Sequence, residues 1–480
     1  MNQQCSTTDI TDDDTSSDQL AELVTPFRTP SGALFAEVMQ DGHREIWPIQ
    51  SDSFARMIQR IQRNESGQIL GKKDLAKFID ALEAEAQFGD AVEDVHLRVA
   101  RVKDRIYLDL CDPTWRVIEI DSNGWRVLPH SPVRFRRTTG MLALPEPVSG
   151  GDLNTLWNFV QIADPGERLL VTAHLLGTLA RVQPYPVLYL IGGNGTAKST
   201  STRILAHLVD PHISGVRSVP KSERDLFVAG QHRHLLPLDN VSQITNEMSD
   251  ALCRISTGAT FAARKNFSDG DEVFLSAANP IISNGIVYAF TRPDLVDRTI
   301  TVQLGQIPDS DRLLEEDVMG NFEAVHPSLL GALCDALSIG LGRKGNIPRP
   351  ALPRMADFAY WGIACEPAYA TEEGAFLAAY YRNIRQTNEE TIDEDPVAPR
   401  IRDLLARRTS WEGTATRLEE TLRGLRDMPL PQNWPKTAKL MSDHLRRIGP
   451  ALGRIGVSMT FERRGHDRER IIRVCRERAN

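Results

Sequence analysis

With 480 residues, 41% of them hydrophobic and 25% charged, the chain has the make-up of a soluble globular protein with room for two to four cores, which excludes overall disorder. No apolar run approaches the roughly 20 residues that span a bilayer, and the acidic, polar N-terminus is unlike a secretory signal, so a cytoplasmic protein with no membrane partner is expected. The net charge of −8 is unevenly spread: residues 401–480 hold 18 Lys and Arg against 10 Asp and Glu, which points to a polyanion partner for that segment alone.

In chain order, residues 1–24 carry six acids, many Ser and Thr and no Lys or Arg, which predicts a disordered tail over 1–26. Residues 27–141 mix two helix-like stretches, 52–63 and 73–88, with short alternating strands such as HLRVA, RIYLDL, RVIEI and GWRVL, the pattern of a small α+β domain. LALPEPVSGGDL (142–153) has the Pro and Gly density of a linker, and a helical pattern follows it to residue 182. From 183 to 310 strands and helices alternate, which implies a parallel sheet covered on both faces. Residues 311–387 read as helices, 388–400 as a second, acidic linker, and 401–480 as a basic closing domain. The six cysteines (Cys5, Cys111, Cys253, Cys334, Cys365, Cys475) form no C-x-x-C pair, so neither a disulfide framework nor a cysteine zinc site is indicated.

The stretch YPVLYLIGGNGTAKSTSTRIL (185–205) has the layout of a phosphate-binding loop. VLYLI fits a buried parallel strand, and Gly192, Gly193 and Gly195 follow in a turn where positive φ and close backbone approach suit glycine. Asn194, Thr196, Ala197, Lys198, Ser199 and Thr200 complete the loop and open a helix whose free N–H groups favour a phosphate. Ala197 stands where the pattern G-x-x-x-x-G-K-[ST] has its second glycine. At the mouth of the helix its φ is expected to be negative, so that the methyl group costs little. Lys198 is expected against the β- and γ-phosphates of ATP, and Ser199 on Mg²⁺.

RHLLPLDNVS (233–242) supplies the matching carboxylate: an apolar strand ending in Asp239, at the sheet edge where nucleotides sit, suited to hold Mg²⁺. Asn240 occupies the place where many ATPases put a water-activating glutamate, and Pro237 removes an amide from an expected interior strand. Slow hydrolysis, or a base from elsewhere, is the expected consequence. FAARKNF and EVFL flank a hairpin tip of Ser268, Asp269, Gly270 and Asp271, with Arg264 and Lys265 set back on the strand as DNA candidates. PIISNGI reads as another buried strand that brings Asn284 to the same edge, where its amide can orient water or touch the γ-phosphate. TRPDLVDRTI offers Arg292 and Arg298, either of which can reach a neighbour's nucleotide as an arginine finger.

Near the C-terminus, 416–426 and 437–455 have helical spacing, and VSMTFERRGHDRERIIRV alternates around a Gly-containing turn like a two-stranded wing. Helices followed by a wing predict a DNA-binding winged helix. His444, Arg446, Arg447 and Arg454 on the helix, with Arg463, Arg464, Arg468 and Arg470 on the wing, are candidates to neutralise phosphates.

The order of these motifs resembles the AAA+ ATPases, specifically the superfamily 3 type helicases of phages, plasmids and integrated mobile elements, over roughly residues 27–475. AKST, DLFVA, LDNVS, SDALCRISTG, PIISNGI, TRPDLVDR, LPRMADFA and WPKTAKLMSDHLRRIGPAL carry the resemblance. It implies an α/β fold with a P-loop AAA+ parallel-sheet core, a helical lid and a C-terminal winged helix. It also implies a hexameric ring that hydrolyses ATP with Mg²⁺ and translocates on single-stranded or forked DNA, with duplex held by the C-terminal domain. By resemblance, Lys198 and Ser199 match Walker A, Asp239 the Walker B acid, Asn284 the sensor asparagine, Arg298 the finger with Arg292 second, and Arg354 a lid sensor. The acidic hairpin tip departs from the basic tip usual in that group, and no primase metal triad stands in 27–141. An ATP-switched replication initiator or loader, and a defence or signalling ATPase that recruits a protein partner, are the alternatives.

Overall fold

The computed structural model describes residues 20, 22–264, 272–290, 292–393, 395–425, 429–431, 434–464 and 469–476. Strands β1 (Val24–Arg28), β2 (Leu34–Gln40) and β3 (His43–Pro48) form an antiparallel meander that shares one core with helices α1 (Asp52–Ser66) and α2 (Lys72–Phe88). Helix α1 starts where the Ser51 hydroxyl accepts from the Phe54 N–H, and Phe54, Met57, Ile58 and Ile61 recur at helical spacing on its buried face. Leu20 and Val24 are buried in the same core, so the ordered chain begins ahead of Phe27. The acids outnumber these two apolar residues in composition, yet the apolar pair is what the core takes up. Residues 1–19, most of the expected tail, lie outside the described residues.

The four strand patterns read from the sequence become β4 (Val99–Val102), β5 (Arg105–Asp109), β6 (Val117–Asp121) and β7 (Gly124–Leu128), a second antiparallel sheet. This sheet is not part of a separate small domain. Successive residues of a strand face opposite sides, and Val99, Ile106, Leu108, Ile118 and Ile120 enter the central core together with Leu170, Leu188 and Leu333. Fully buried Arg98 fixes the attachment: its Nε lies 2.9 Å from Asp210 Oδ1, and its Nη atoms donate to the carbonyls of Asp109 (3.0 Å) and Leu142 (2.7 Å). The expected linker 142–153 is extended and packed: Leu144 is buried, and a Cβ on Gly151 would fall 2.0 Å from the Ser328 carbonyl oxygen. Gly151 thus serves close approach to a helix, and Gly150 a turn at φ 78°.

The central unit runs α3 (Pro165–Leu179), β8 (Val187–Ile191), α4 (Lys198–Val209), β9 (Arg217–Ser218), α5 (Glu223–His232), β10 (Leu236–Asp239) and α6 (Asn246–Thr257). An antiparallel pair, β11 (Ala259–Arg264) and β12 (Glu272–Ala277), then precedes β13 (Ile281–Gly285), α7 (Pro293–Val296) and β14 (Thr299–Gln303). The expected hairpin is this pair; its tip and Lys265 lie outside the described residues. Strands pair in the order β9-β10-β13-β8-β14, all parallel. All five residues of β8 are buried: Leu188 and Leu190 enter one core, Val187, Tyr189 and Ile191 the other. A strand covered on both faces reads as a continuous apolar run, and each fully buried aliphatic side chain contributes about 1.5–3 kcal/mol.

Pro237 fits β10 for a local reason. Leu236 donates its N–H to the Pro280 carbonyl on the β13 side (3.0 Å), so Pro237 turns its nitrogen toward β9, whose ladder pairs only Leu238 and Asp239. The missing amide therefore removes no ladder bond.

Helices α8 (Glu315–Arg343), α9 (Ala356–Cys365) and α10 (Ala375–Asp393) follow. Among the described residues α8 alone is long and apolar enough to cross a membrane, and its Leu329, Leu330, Leu333 and Leu337 lie in the central core. The expected linker at 388–400 is helical through Asp393, with Asn388 and Ile392 buried and Glu389 and Asp393 on the wet side, while Asp395 beyond the helix pairs with His444. The chain closes with α11 (Ala398–Arg407), β15 (Ser410–Gly413), α12 (Ala415–Arg423), α13 (Ala438–Arg454), β16 (Val457–Arg464) and β17 (Glu469–Arg476). The sheet order is β15-β17-β16, antiparallel throughout, around its own core.

Candidate functional site

The loop after β8 and the start of α4 sit at the carboxyl edge of the parallel sheet, beside the ends of β10 and β13. Gly195 has φ 82°, and a Cβ on Gly192 would fall 2.6 Å from Thr196 Oγ1, so glycine is needed at both places. Thr196 Oγ1 donates to the Gly193 carbonyl (3.0 Å), and Lys198 Nζ donates to the same oxygen (2.7 Å). Asn194 is exposed and Thr200 is partly exposed at the mouth. Because the first bond of α4 runs from Ser201 N–H to the Ala197 carbonyl, the N–H groups of Lys198, Ser199 and Thr200 have no intrahelical acceptor. With the positive end of the helix dipole they favour an anion at this edge. Desolvation pulls the Lys198 ammonium below the usual lysine range, against the opposing pull of Asp239.

Ala197 departs from its expected conformation. Its φ is 52° and ψ 37°, the left-handed region, not the negative φ of a helix start. The chain must reverse at this residue for the loop to curl over the helix mouth. Glycine does so freely, whereas an L-residue pays about 1–2 kcal/mol. The loop forms with alanine, and it carries strain there.

The structure brings Ser199, Asp239 and Asn284 together. Ser199 Oγ donates to Asp239 Oδ1 at 2.7 Å, and Asn284 Nδ2 donates to the same oxygen at 2.8 Å and to Thr202 Oγ1 at 2.8 Å. Asn284 is fully buried in β13, and its Oδ1 accepts from the Asn240 N–H (3.1 Å), so it ties the ends of β10 and β13 to the loop helix. Asn240 itself has φ 53°. That conformation favours asparagine over glutamate at the position.

One residue of the site was not legible in the sequence. Arg312 lies in the segment between β14 and α8, and a Cβ on Gly195 would fall 2.7 Å from its Nη2, so the guanidinium rests directly on the glycine loop. Its Nε bonds Asp309 Oδ1 (3.1 Å), and its Nη atoms have no protein acceptor among the described residues. An isolated arginine in a loop gives no pattern from which to find it.

The two finger candidates are held within their own chain. Arg298 stands at the amino end of β14, away from the loop, and bonds Asp294 at 2.6 Å. Arg292 bonds Asp250 at 2.8 Å. Arg354 reaches Asp294 (2.5 Å) and Asp297 (3.2 Å), while Arg454 pairs with Asp297 and, at 3.0 Å, Asn388, so α7, the segment before α9, and α13 meet in one ionic cluster. Burial opposes ionisation of Asp294, but Arg298 and Arg354 hold its carboxyl down at about 2.

Several arginines singled out for DNA are also engaged. His444 is buried against Asp395 (3.0 Å), and Arg447 bonds His444 Nδ1 (2.7 Å), so the two serve the domain's own packing. Arg464 pairs with Glu412 (2.6 Å) and Glu462 (2.7 Å). Arg446 lies 4.0 Å from the Phe461 ring centroid, and Arg463 and Arg470 are exposed with no partner among the described residues. Arg264 ends β11, and Arg468 lies outside the described residues.

The fold and the site define a mixed α/β protein whose five-stranded parallel sheet carries a glycine-rich strand–loop–helix turn at its carboxyl edge. Two family models match the chain, the actinomycete integrative conjugative element replication protein over residues 153–389 and the C-terminal domain of the RepA of such elements over residues 397–479. Together they cover more than half of it. The chain belongs to this family and is a replication protein of a mobile element. A search of curated proteins finds no match. Among solved structures, an A-form apo structure of the NrS-1 C-terminal region aligns over 96% of this chain and 99% of its own, at 9% identity and a TM-score of 0.39. A second apo structure of that region aligns over 96% and 98%, at 11% identity and a TM-score of 0.38.

Proposed function

We propose that this replication protein is a Mg²⁺-dependent ATP hydrolase of the AAA+ superfamily 3 type, with a helical lid and a C-terminal winged helix, that moves along or opens DNA as a hexameric ring. The observation that carries the reading is the meeting of the glycine loop, Lys198 and Ser199 with Asp239 and Asn284 at the carboxyl edge of a parallel sheet. The residues fit the ligand. Lys198, Arg312 and three free N–H groups suit a polyphosphate, and the Ser199 hydroxyl beside the Asp239 carboxylate is a hard-oxygen pair suited to Mg²⁺. Bound ATP and Mg²⁺ would supply the phosphoryl group and the charge that balances it. Lys198 and Arg312 would neutralise the anion and Ser199 and Asp239 would hold the cation. Asn284, buried with its amide bonded to Asp239, Thr202 and the Asn240 N–H, fixes Asp239 and, contrary to the expectation from the sequence, does not itself touch the phosphate. The ring, and a finger from a neighbouring subunit by Arg298 or Arg292, rest on the resemblance to that helicase group.

One observation supports a second reading. The positive φ of Asn240 disfavours the glutamate that other ATPases use to activate water. Slow turnover suits an initiator or loader in which ATP orders a DNA complex and hydrolysis resets it. The deciding experiment measures ATP hydrolysis with and without single-stranded and forked DNA, coupled to strand displacement on the fork. Stimulated hydrolysis with displacement is the expected result; ATP-dependent DNA complexes without displacement select the initiator. A chain that neither binds nor hydrolyses nucleotide ends both readings.

A further inference from the structure

On the side of α4 remote from the glycine loop, His207 in the last turn faces Glu323 and His326 of α8. The i,i+3 spacing puts the carboxylate and the second imidazole on one face of α8. His207 Nε2 lies 2.8 Å from Glu323 Oε1, and His326 Nδ1 lies 3.6 Å from Glu323 Oε2. One nitrogen from each histidine and a carboxylate oxygen all lie within 4.8 Å of one another.

The tautomer of His326 is fixed by the fold. Its Nε2 donates to the Leu208 carbonyl at 3.1 Å, a bond that requires the proton on Nε2 and makes Nδ1 the nitrogen available to a metal. That Nδ1 is buried and has no hydrogen-bond partner among the described residues, although it is turned toward the Glu323 carboxylate. At 3.6 Å the buried Nδ1 and the half-exposed carboxylate are too far apart for a direct hydrogen bond, and a cation between them would satisfy both. A backbone carbonyl that orients a histidine through its second nitrogen is also the usual support of a metal-bound imidazole.

We propose that His207, Glu323 and His326 bind one Zn²⁺ ion. Zinc takes nitrogen and oxygen ligands at about 2.0–2.1 Å in tetrahedral geometry, which spaces them about 3.3 Å apart and matches the present arrangement after small side-chain rotations. Glu323 is half exposed, which leaves an entry path and a fourth position for water. The ion staples the end of the loop helix to α8, and it is separate from the cation pair Ser199 and Asp239 at the opposite end of α4. It does not depend on nucleotide binding.

The test uses the full chain, stripped of metal with a chelator and then titrated with Zn²⁺ by calorimetry, with Co²⁺ absorption as a readout of coordination. One equivalent of Zn²⁺ is expected to bind and raise Tm. His207→Ala and Glu323→Gln are each expected to weaken the affinity at least tenfold and to abolish the Co²⁺ bands while the far-UV circular dichroism is unchanged. Glu323→Gln keeps the shape of an exposed side chain, so it guards against loss of fold. Absence of saturable binding overturns the proposal. So does binding that is equal in the wild type and both variants, which would place the metal elsewhere.

Discussion

Ser199 and Asp239 share a hydrogen bond of 2.7 Å between the first turn of α4 and the end of β10, and Asn284 donates to the same carboxylate oxygen from β13. Three segments distant in sequence therefore converge on one oxygen. Asp239→Asn retains an acceptor for Ser199 but removes the charge that would hold a cation. Mg²⁺-dependent hydrolysis is expected to fall by about 100-fold or more, while nucleotide binding measured in EDTA persists. Undiminished turnover in this variant would remove Asp239 from the proposed site.

Ala197 is strained at φ 52°, so Ala197→Gly should stabilise the protein, not leave it unchanged. Relief of the left-handed alanine is worth about 1–2 kcal/mol, less the backbone entropy of the added glycine, for a net gain of about 1 kcal/mol. Ala197→Val, β-branched at the same φ, should lose stability and nucleotide affinity together. Thermal melts of the two variants decide the point: a glycine variant less stable than the wild type would mean that Ala197 bears no strain.

Arg312 presents free Nη atoms at the glycine loop, so Arg312→Ala should weaken nucleotide binding about tenfold or more, in keeping with one charge-assisted contact of about 1.5–3 kcal/mol. Arg312→Lys should recover part of the loss. If both variants bind ATP as the wild type does, Arg312 only packs on the loop.

Strong local signals were legible in the sequence and long-range placement was not. VLYLI, the glycine loop and the strands that carry Asp239 and Asn284 near their ends announce themselves because a doubly covered strand must be apolar and a tight loop over a helix mouth calls for glycine. The conformation of Ala197 was misread because φ depends on how the loop closes, which composition does not record. The sheet β4–β7 looked like part of a separate domain, since alternation shows that one face is buried but not against what. Glycines and acids at 142–153 and 388–400 suggested linkers, yet Gly151 serves close packing and Glu389 is on the outside of a helix. Arg312 and the engagement of Arg447 and Arg464 by partners in their own domain depend on tertiary contacts alone.

His174 of α3 is fully buried, neither ring nitrogen has a partner among the described residues, and burial lowers its pKa to about 3. The unfolded chain takes up a proton near pH 6.5 that the native state refuses, so this residue makes stability fall as pH drops from about 6.5 toward 3. His174→Leu should flatten that acid limb by up to one proton. It should also stabilise the protein by about 1–3 kcal/mol, since two unsatisfied nitrogens leave an apolar core. Denaturant melts at pH 7 and pH 5 measure both effects, and an unchanged pH dependence would show that His174 is protonated in the native state.

In the C-terminal domain the arginines divide by what already holds them. Each phosphate neutralised on duplex DNA contributes about −0.9 to the slope of log K against log salt. Arg463 is exposed and unpaired among the described residues, and Arg446 rests on the Phe461 ring with its guanidinium free of acids, so both can meet a phosphate at no cost in broken ion pairs. Arg464 must leave Glu412 and Glu462, and Arg447 must leave His444. The double variant Arg446→Ala with Arg463→Ala should therefore flatten the salt slope of the full chain by up to about 2. Arg447→Ala with Arg464→Ala should change it less, and neither pair should alter ATP hydrolysis without DNA. Anisotropy titrations of a labelled duplex at several salt concentrations give the slopes. A slope that responds only to Arg447 and Arg464 would mean that these residues exchange their internal partners for phosphate on binding, and that the free arginines face away from DNA.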